Sequence, residues 1–123
     1  MSFLIAVIVL TALPAAADDR AVFYGTWGTP GQCARTSIME GGTVMAEPFM
    51  INSGWLRHGQ IWCRLDWGPL ETRENDVVTG AQALCGEDAV RSYLLGLTLS
   101  DENLTLRWDF TLTNGPLKRC PGQ

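Results

Sequence analysis

The sequence predicts an all-β fold: a small antiparallel meander barrel of about seven or eight strands, disulfide-linked. Three observations carry this. Several segments alternate apolar and polar residues with the period of two that marks a half-buried strand. Four cysteines, Cys33, Cys63, Cys85 and Cys120, are spread along a chain of only 123 residues. No stretch longer than about ten residues combines helical spacing with capping residues.

The chain opens MSFLIAVIVLTALPAAADD. Phe3 to Leu13 is an apolar run, Pro14 ends it, and Ala15-Ala16-Ala17 provides the small residues a signal peptidase requires before Asp18. Residues 1–17 are therefore expected to be a secretory signal peptide, with only the amino terminus as its positive charge. Residues 18–123 are expected to form a single domain, periplasmic or secreted. The apolar run is shorter than the roughly 20 residues needed to cross a bilayer, so no membrane span is expected after cleavage.

Ala21 to Trp27 begins the sheet, and Thr43 to Asn52 continues it, with Pro48 marking an edge or a bulge. Asn52-Ser53-Gly54 turns the chain into a strand from Trp55. In IWCRLDW, Ile61, Cys63, Leu65 and Trp67 alternate with Trp62, Arg64 and Asp66. A charged loop follows, and a hairpin centred on Glu74 sets Leu65 opposite Ala83, Trp67 opposite Ala81 and Cys63 opposite Cys85. Large residues then meet small ones, and two cysteines face each other at bridging distance. This register predicts a Cys63–Cys85 disulfide and leaves Cys33–Cys120 to join the first and last strands. A zinc site would call for a close C-x-x-C pair, which the sequence lacks.

YLLGLTLSDENLTLRWDF forms the next hairpin. A two-residue turn at Asp101-Glu102 places Leu99 against Leu104, Leu97 against Leu106, Leu95 against Trp108 and Tyr93 against Phe110. A slip of one residue would break every pair. Thr113 to Pro116 is expected as a four-residue loop, which sets Leu112 opposite Leu117 and Phe110 opposite Arg119 and turns Arg119 towards the core.

Gly25-Thr26-Trp27 resembles the G-x-W signature of lipocalins and their calycin relatives. In that family an Arg or Lys of the last strand stacks over the tryptophan and closes the barrel base. The resemblance implies that Arg119 closes over Trp27, through a cation–π contact that also buries the guanidinium stem. The wider layout resembles a set of small exported bacterial proteins. It runs from GTW through Cys33, a cysteine pair around a hairpin and Cys85-Gly86-Glu87 to Arg119-Cys120-Pro121, and it implies no activity. The layout is also similar to periplasmic inhibitors of secreted metalloproteases, small calycin barrels whose N-terminal tail plugs the protease. Here Asp18 to Ala21 is a short, acidic stub, and a second disulfide is present.

The net charge is −4, with acids and bases interleaved and no basic patch. That argues against a nucleic-acid partner and against an anionic lipid surface. His58, the single histidine, lies in the polar stretch Arg57-His58-Gly59-Gln60 and is expected at a surface or turn, with no Ser or Cys partner in sight. The acids at Glu71, Glu74, Asp76, Glu87, Asp88, Asp101 and Glu102 fall in turns, where carboxylates are ordinary solvated residues. No catalytic residue, metal or cofactor is expected.

Five tryptophans remain. Trp27, Trp67 and Trp108 fall on predicted core faces. Trp62 either points outward with Gln60 and Arg64 or is turned inward by a bulge, and Trp55 follows a Ser-Gly turn. If outward, Trp55, Arg57, Trp62 and Arg64 form a binding patch for a protein or a sugar. The expected function is that of a monomeric, non-catalytic binding or inhibitor-like module acting on an exported protein, a protease or other hydrolase. The alternative is a carrier of a small apolar ligand. That alternative needs space which Trp27, Tyr93, Leu95, Leu97, Leu106, Trp108 and Phe110 would largely fill in a barrel of this size.

Overall fold

Period-two alternation sends every second side chain of a strand to one face, and a sheet of such strands buries that face best by closing on itself. The computed structural model, which describes residues 19–34, 47–87 and 90–122, is such a closure. The strands β1 (Gly25–Gly28), β2 (Phe49–Ile51), β3 (Trp55–His58), β4 (Ile61–Thr72), β5 (Asp76–Cys85), β6 (Arg91–Ser100), β7 (Asn103–Trp108) and β8 (Leu112–Arg119) each pair antiparallel with the next. β8 returns to β1, making a closed eight-stranded meander barrel. An eight-stranded barrel is just wide enough for side chains to fill. Trp27, Leu56, Leu95, Leu97, Leu104 and Leu106 do so, each with almost no exposure.

The two long hairpins take the expected registers, except that the expected pair of Tyr93 with Phe110 does not form, because β7 ends at Trp108 and Phe110 lies in the turn that follows. β4 and β5 pair Cys63 with Cys85, Leu65 with Ala83 and Trp67 with Ala81. β6 and β7 pair Leu99 with Leu104, Leu97 with Leu106 and Leu95 with Trp108. Asp101 and Glu102 both adopt positive φ, as a two-residue hairpin turn requires to match the strand twist. Beyond Trp67 the β4–β5 register shifts at Gly68-Pro69, where proline has no N–H to give to the ladder. The carbonyls freed there are taken up: Arg20 Nη2 donates to Gly68 O at 2.6 Å and the buried Thr79 hydroxyl to Pro69 O at 2.9 Å.

The structure departs from these expectations near both ends of the domain. The first strand begins at Gly25, because Arg20–Phe23 is a turn of 3-10 helix that plugs the barrel base with the buried Phe23. Trp27 Nε1 donates to Phe23 O, and the Phe23 and Trp67 rings stack at 6.3 Å. One turn of helix, α1 (Pro30–Cys33), follows β1. Thr29 caps it, exchanging hydrogen bonds with Gln32, and Pro30 opens it. Of the expected strand from Thr43 to Asn52, the part at 43–46 lies outside the described residues, as does the leader at 1–17.

The largest correction concerns the last hairpin. Its turn is at Asp109-Phe110, both at positive φ, and Asn114-Gly115-Pro116 lies inside β8. Asp109 anchors the turn to β6 by accepting Leu94 N–H through Oδ1 and donating its own N–H to Leu94 O. Asn114 accepts Trp108 Nε1–H instead of forming a turn. Leu112 therefore sits opposite Trp108, Leu117 opposite Leu104, and Phe110 is 76% exposed rather than inward. Arg119 pairs with Trp27 on β1, not with Phe110.

The seam between β1 and β8 is the thinnest pairing of the barrel, Trp27 with Arg119 and Gly28 with Lys118. It is reinforced in three ways. The Arg119 guanidinium lies 4.3 Å from the Trp27 ring centre, and its Nη1 and Nη2 donate to Tyr24 O and Val22 O at 2.6 and 2.7 Å. Cys120 N–H bonds to Thr26 O, and the Cys33–Cys120 disulfide spans 87 residues of chain. Closing so long a loop removes about 4.6 kcal/mol of unfolded-state freedom in the chain-entropy picture, against about 3.4 kcal/mol for the 22-residue Cys63–Cys85 loop.

Gly25 explains the first position of the G-x-W stretch. At φ +133° it occupies backbone space that favours glycine, and a Cβ there would lie 2.7 Å from Arg119 Nη1. Gly25→Ala and Arg119→Ala should each destabilise the fold by about 2 kcal/mol, and the double variant by less than the sum, since both act on one contact. Urea unfolding of the four proteins measures this; additive losses would separate Gly25 from the closure.

Candidate functional site

Leu56 and His58 on β3 and Cys63 and Leu65 on β4 are buried and point inward, with Leu56 opposite Cys63, so the residues between them face solvent. The register pairs Trp55 with Arg64 and Arg57 with Trp62. An aromatic ring thus stands opposite a guanidinium twice in succession on the outer face of one hairpin. The two tryptophans meet on the diagonal at 4.9 Å, edge to face. Arg57 Nε donates to Gly59 O at 2.9 Å, which fixes the guanidinium 5.0 Å over the Trp62 ring. Trp62 points outward, with 47% of its surface exposed, and no bulge intervenes along Trp55–His58 and Ile61–Arg64. An exposed cation–π pair contributes only about 0.5–1 kcal/mol to folding, so this ladder is a weak stabiliser and a prominent surface.

A second feature lies at the barrel mouth, the end opposite the Arg20–Phe23 plug. His58, expected at the surface, is 9% exposed and stacks on Phe49 with ring centres 4.0 Å apart. It follows Leu56 by two residues, and the same alternation that turns Leu56 in turns His58 in. The polar neighbours Arg57 and Gln60 concealed this in the sequence; the Leu56, His58 spacing was the signal for it. Its Nε2 has no hydrogen-bond partner among the described residues. A pocket of about 280 Å³ opens beside it, walled by Phe49, Leu56, Tyr93, Trp108 and the Cys63–Cys85 disulfide.

Trp67 and Trp108 are half-buried at the edge of the core, their Nε1–H groups donating to Ser53 O and Asn114 Oδ1. The structure thus brings together Trp55, Arg57, Trp62 and Arg64 on one face, and Trp27 with Arg119 at the base, where they hold the fold. Among the described residues no group of three His, Cys, Asp or Glu side chains is placed to hold a metal ion, and no helix is long and apolar enough to cross a membrane. Comparison with protein-family models, curated proteins and solved structures finds no match.

Burial pushes the His58 imidazole below its ordinary pKa of 6.5, with the hydrogen bond and charge of Glu47 opposing the shift. As pH falls, the unfolded chain takes up the proton before the folded one. The contribution of the neutral ring to stability is therefore complete above about pH 6.5 and lost as pH falls through the folded value. Unfolding free energies measured by urea titration should decline from about pH 7.5 to pH 5, with a smaller decline in His58→Phe; equal slopes in the two proteins would show that His58 does not set the dependence.

Proposed function

We propose that the chain is an exported, non-catalytic binding module that docks on an exported protein, a protease or other hydrolase, through Trp55, Arg57, Trp62 and Arg64. The observation that carries this is the outward ladder of alternating tryptophan and arginine. Trp and Arg are the residue types that dominate binding energy at interfaces, and here they are held in place before a partner arrives, which lowers the entropy lost on docking. The ladder also reverses the local charge: the chain as a whole carries −4, while this face presents two guanidinium groups. The complementary partner surface is apolar with carboxylates at its rim. Export is supported by the two disulfides, which persist in oxidising compartments, and by the apolar leader ending in Ala15-Ala16-Ala17.

A second reading, a carrier of a small apolar ligand, has one observation in its favour, the pocket at the mouth. The barrel interior below it is packed with leucine side chains, so any cargo is confined to that end.

The docking reading is tested by titrating residues 18–123 against secreted metalloproteases and lysozymes, following complex formation and inhibition. A complex at micromolar concentration or tighter is expected, weakened at least about tenfold by Trp62→Ala, with the melting temperature of the variant nearly unchanged. No complex with either class, or full affinity in Trp62→Ala, overturns it.

A further inference from the structure

Two places on the outer wall of the barrel invert what their backbone favours. In the turn at Asp109-Phe110 both residues lie at positive φ, +48° and +62°. That geometry suits Asp-Gly, because a bulky side chain is strained there. Phenylalanine stands there instead, 76% exposed. The turn is anchored: Asp109 donates its N–H to Leu94 O and accepts Leu94 N–H through Oδ1, so the backbone that carries the ring is held in place. The opposite holds at Gly80 and Gly96, which pair in the middle of β5 and β6. Strand interiors favour side chains, and glycine weakens them. Neither glycine lies at positive φ, and the nearest atom to an added Cβ is 3.7 Å away at Gly80 and 3.8 Å away at Gly96, an ordinary contact. Neither backbone conformation nor crowding within one chain therefore calls for glycine at these positions. A glycine in a strand also marks a place where another molecule approaches the backbone closely.

The two inversions are neighbours. Phe110 and Leu94 wall a groove of about 370 Å³ that is floored by Gly80 and Gly96 and bounded on the far side by Pro69 and Val78. Opposite charges flank the floor: Arg107 on β7, paired with Gly96, and Glu71 on β4, beyond β5. Arg107 makes no ion pair among the described residues. No residue of the tryptophan and arginine ladder lines this groove.

A projecting ring and a recess on one face, with opposite charges to either side, make a self-complementary surface. We infer that the chain, expected from its sequence to be a monomer, pairs with a second copy of itself through this face. A two-fold axis between the copies, running along the strands, exchanges left for right. It sets Arg107 of each copy against Glu71 of the other and brings Phe110 of each over the glycine floor of the other. A second copy is favoured over an unrelated protein because the residues that shape the groove also supply the ring and the charges that fill it.

The test is sedimentation equilibrium of residues 18–123 from about 1 to 500 μM, where a reversible dimer with a dissociation constant of about 100 μM or tighter is expected. Phe110→Gly removes the ring and gives the turn its preferred residue. It should weaken association at least about tenfold while the melting temperature stays or rises. Gly96→Val fills the floor and should weaken association by a similar factor; if that variant does not fold, Phe110→Gly decides alone. Arg107→Glu and Glu71→Arg should each weaken the dimer, and the two together should restore it. A single-chain mass at the highest concentration overturns the proposal. A dimer that keeps its full strength in Phe110→Gly forms through another face and overturns it as well. Failure of the combined charge reversal to restore the dimer overturns the two-fold arrangement.

Discussion

The stack of Arg119 on Trp27 sits where both ends of the domain meet, and the closed barrel depends on it. A meander barrel has one seam that local sequence cannot help to form, the pairing of its first strand with its last, and here that seam consists of two residue pairs. Ladder hydrogen bonds over so short a length are weak support. The guanidinium compensates by binding three things at once: the indole face, the carbonyl of Tyr24 and the carbonyl of Val22. It thereby ties β8 both to β1 and to the 3-10 turn that plugs the base. Gly25 is part of the same device, since only a residue without Cβ leaves room for Nη1. The Cys33–Cys120 bond acts on the same seam from the unfolded side, by limiting how far its two halves separate.

A base fastened in this way assigns different work to the remaining surfaces. The Arg20–Phe23 end is filled by Phe23, Trp27 and Trp67, so access to the barrel comes from the other end. There Phe49 and His58 flank a pocket too small for extended cargo but large enough for a ring. The outer wall of β3 and β4 carries the tryptophan and arginine ladder. These two features share one hairpin: Leu56 and His58 point in where Trp55 and Arg57 point out. A pocket wall inside and a tryptophan and arginine ladder outside are thus the two faces of a single four-residue strand.

Period two and large-against-small complementarity made the central strands legible from sequence: the β4–β5 and β6–β7 registers, the Cys63–Cys85 pair that follows from the first of them, and the outward alternatives for Trp55 and Trp62. These are contacts between neighbours in sequence joined by short turns, where a one-residue slip exposes a whole apolar face, so the pattern itself excludes the alternatives. The Gly25-Thr26-Trp27 stretch also pointed to Arg119. The turn chemistry of Asn114-Gly115-Pro116 misled, because a local turn preference was outweighed by two tertiary bonds, Asp109 to Leu94 and Asn114 to Trp108. Arg20–Phe23 misled similarly: its residues suit a strand, but the barrel end needs a plug.

What the sequence determined by itself is the all-β class and the inward faces of the central hairpins; it named the residues of the ladder but left open whether a bulge turns Trp62 inward. All of these depend on side-chain alternation along one or two adjacent strands. Only the tertiary structure decided that the barrel closes, that Gly25 makes room for Arg119, that β8 runs through its apparent turn, and that His58 is buried against Phe49. Each of those depends on groups far apart in the chain meeting across the barrel or at its ends, and no period in the sequence encodes such a meeting.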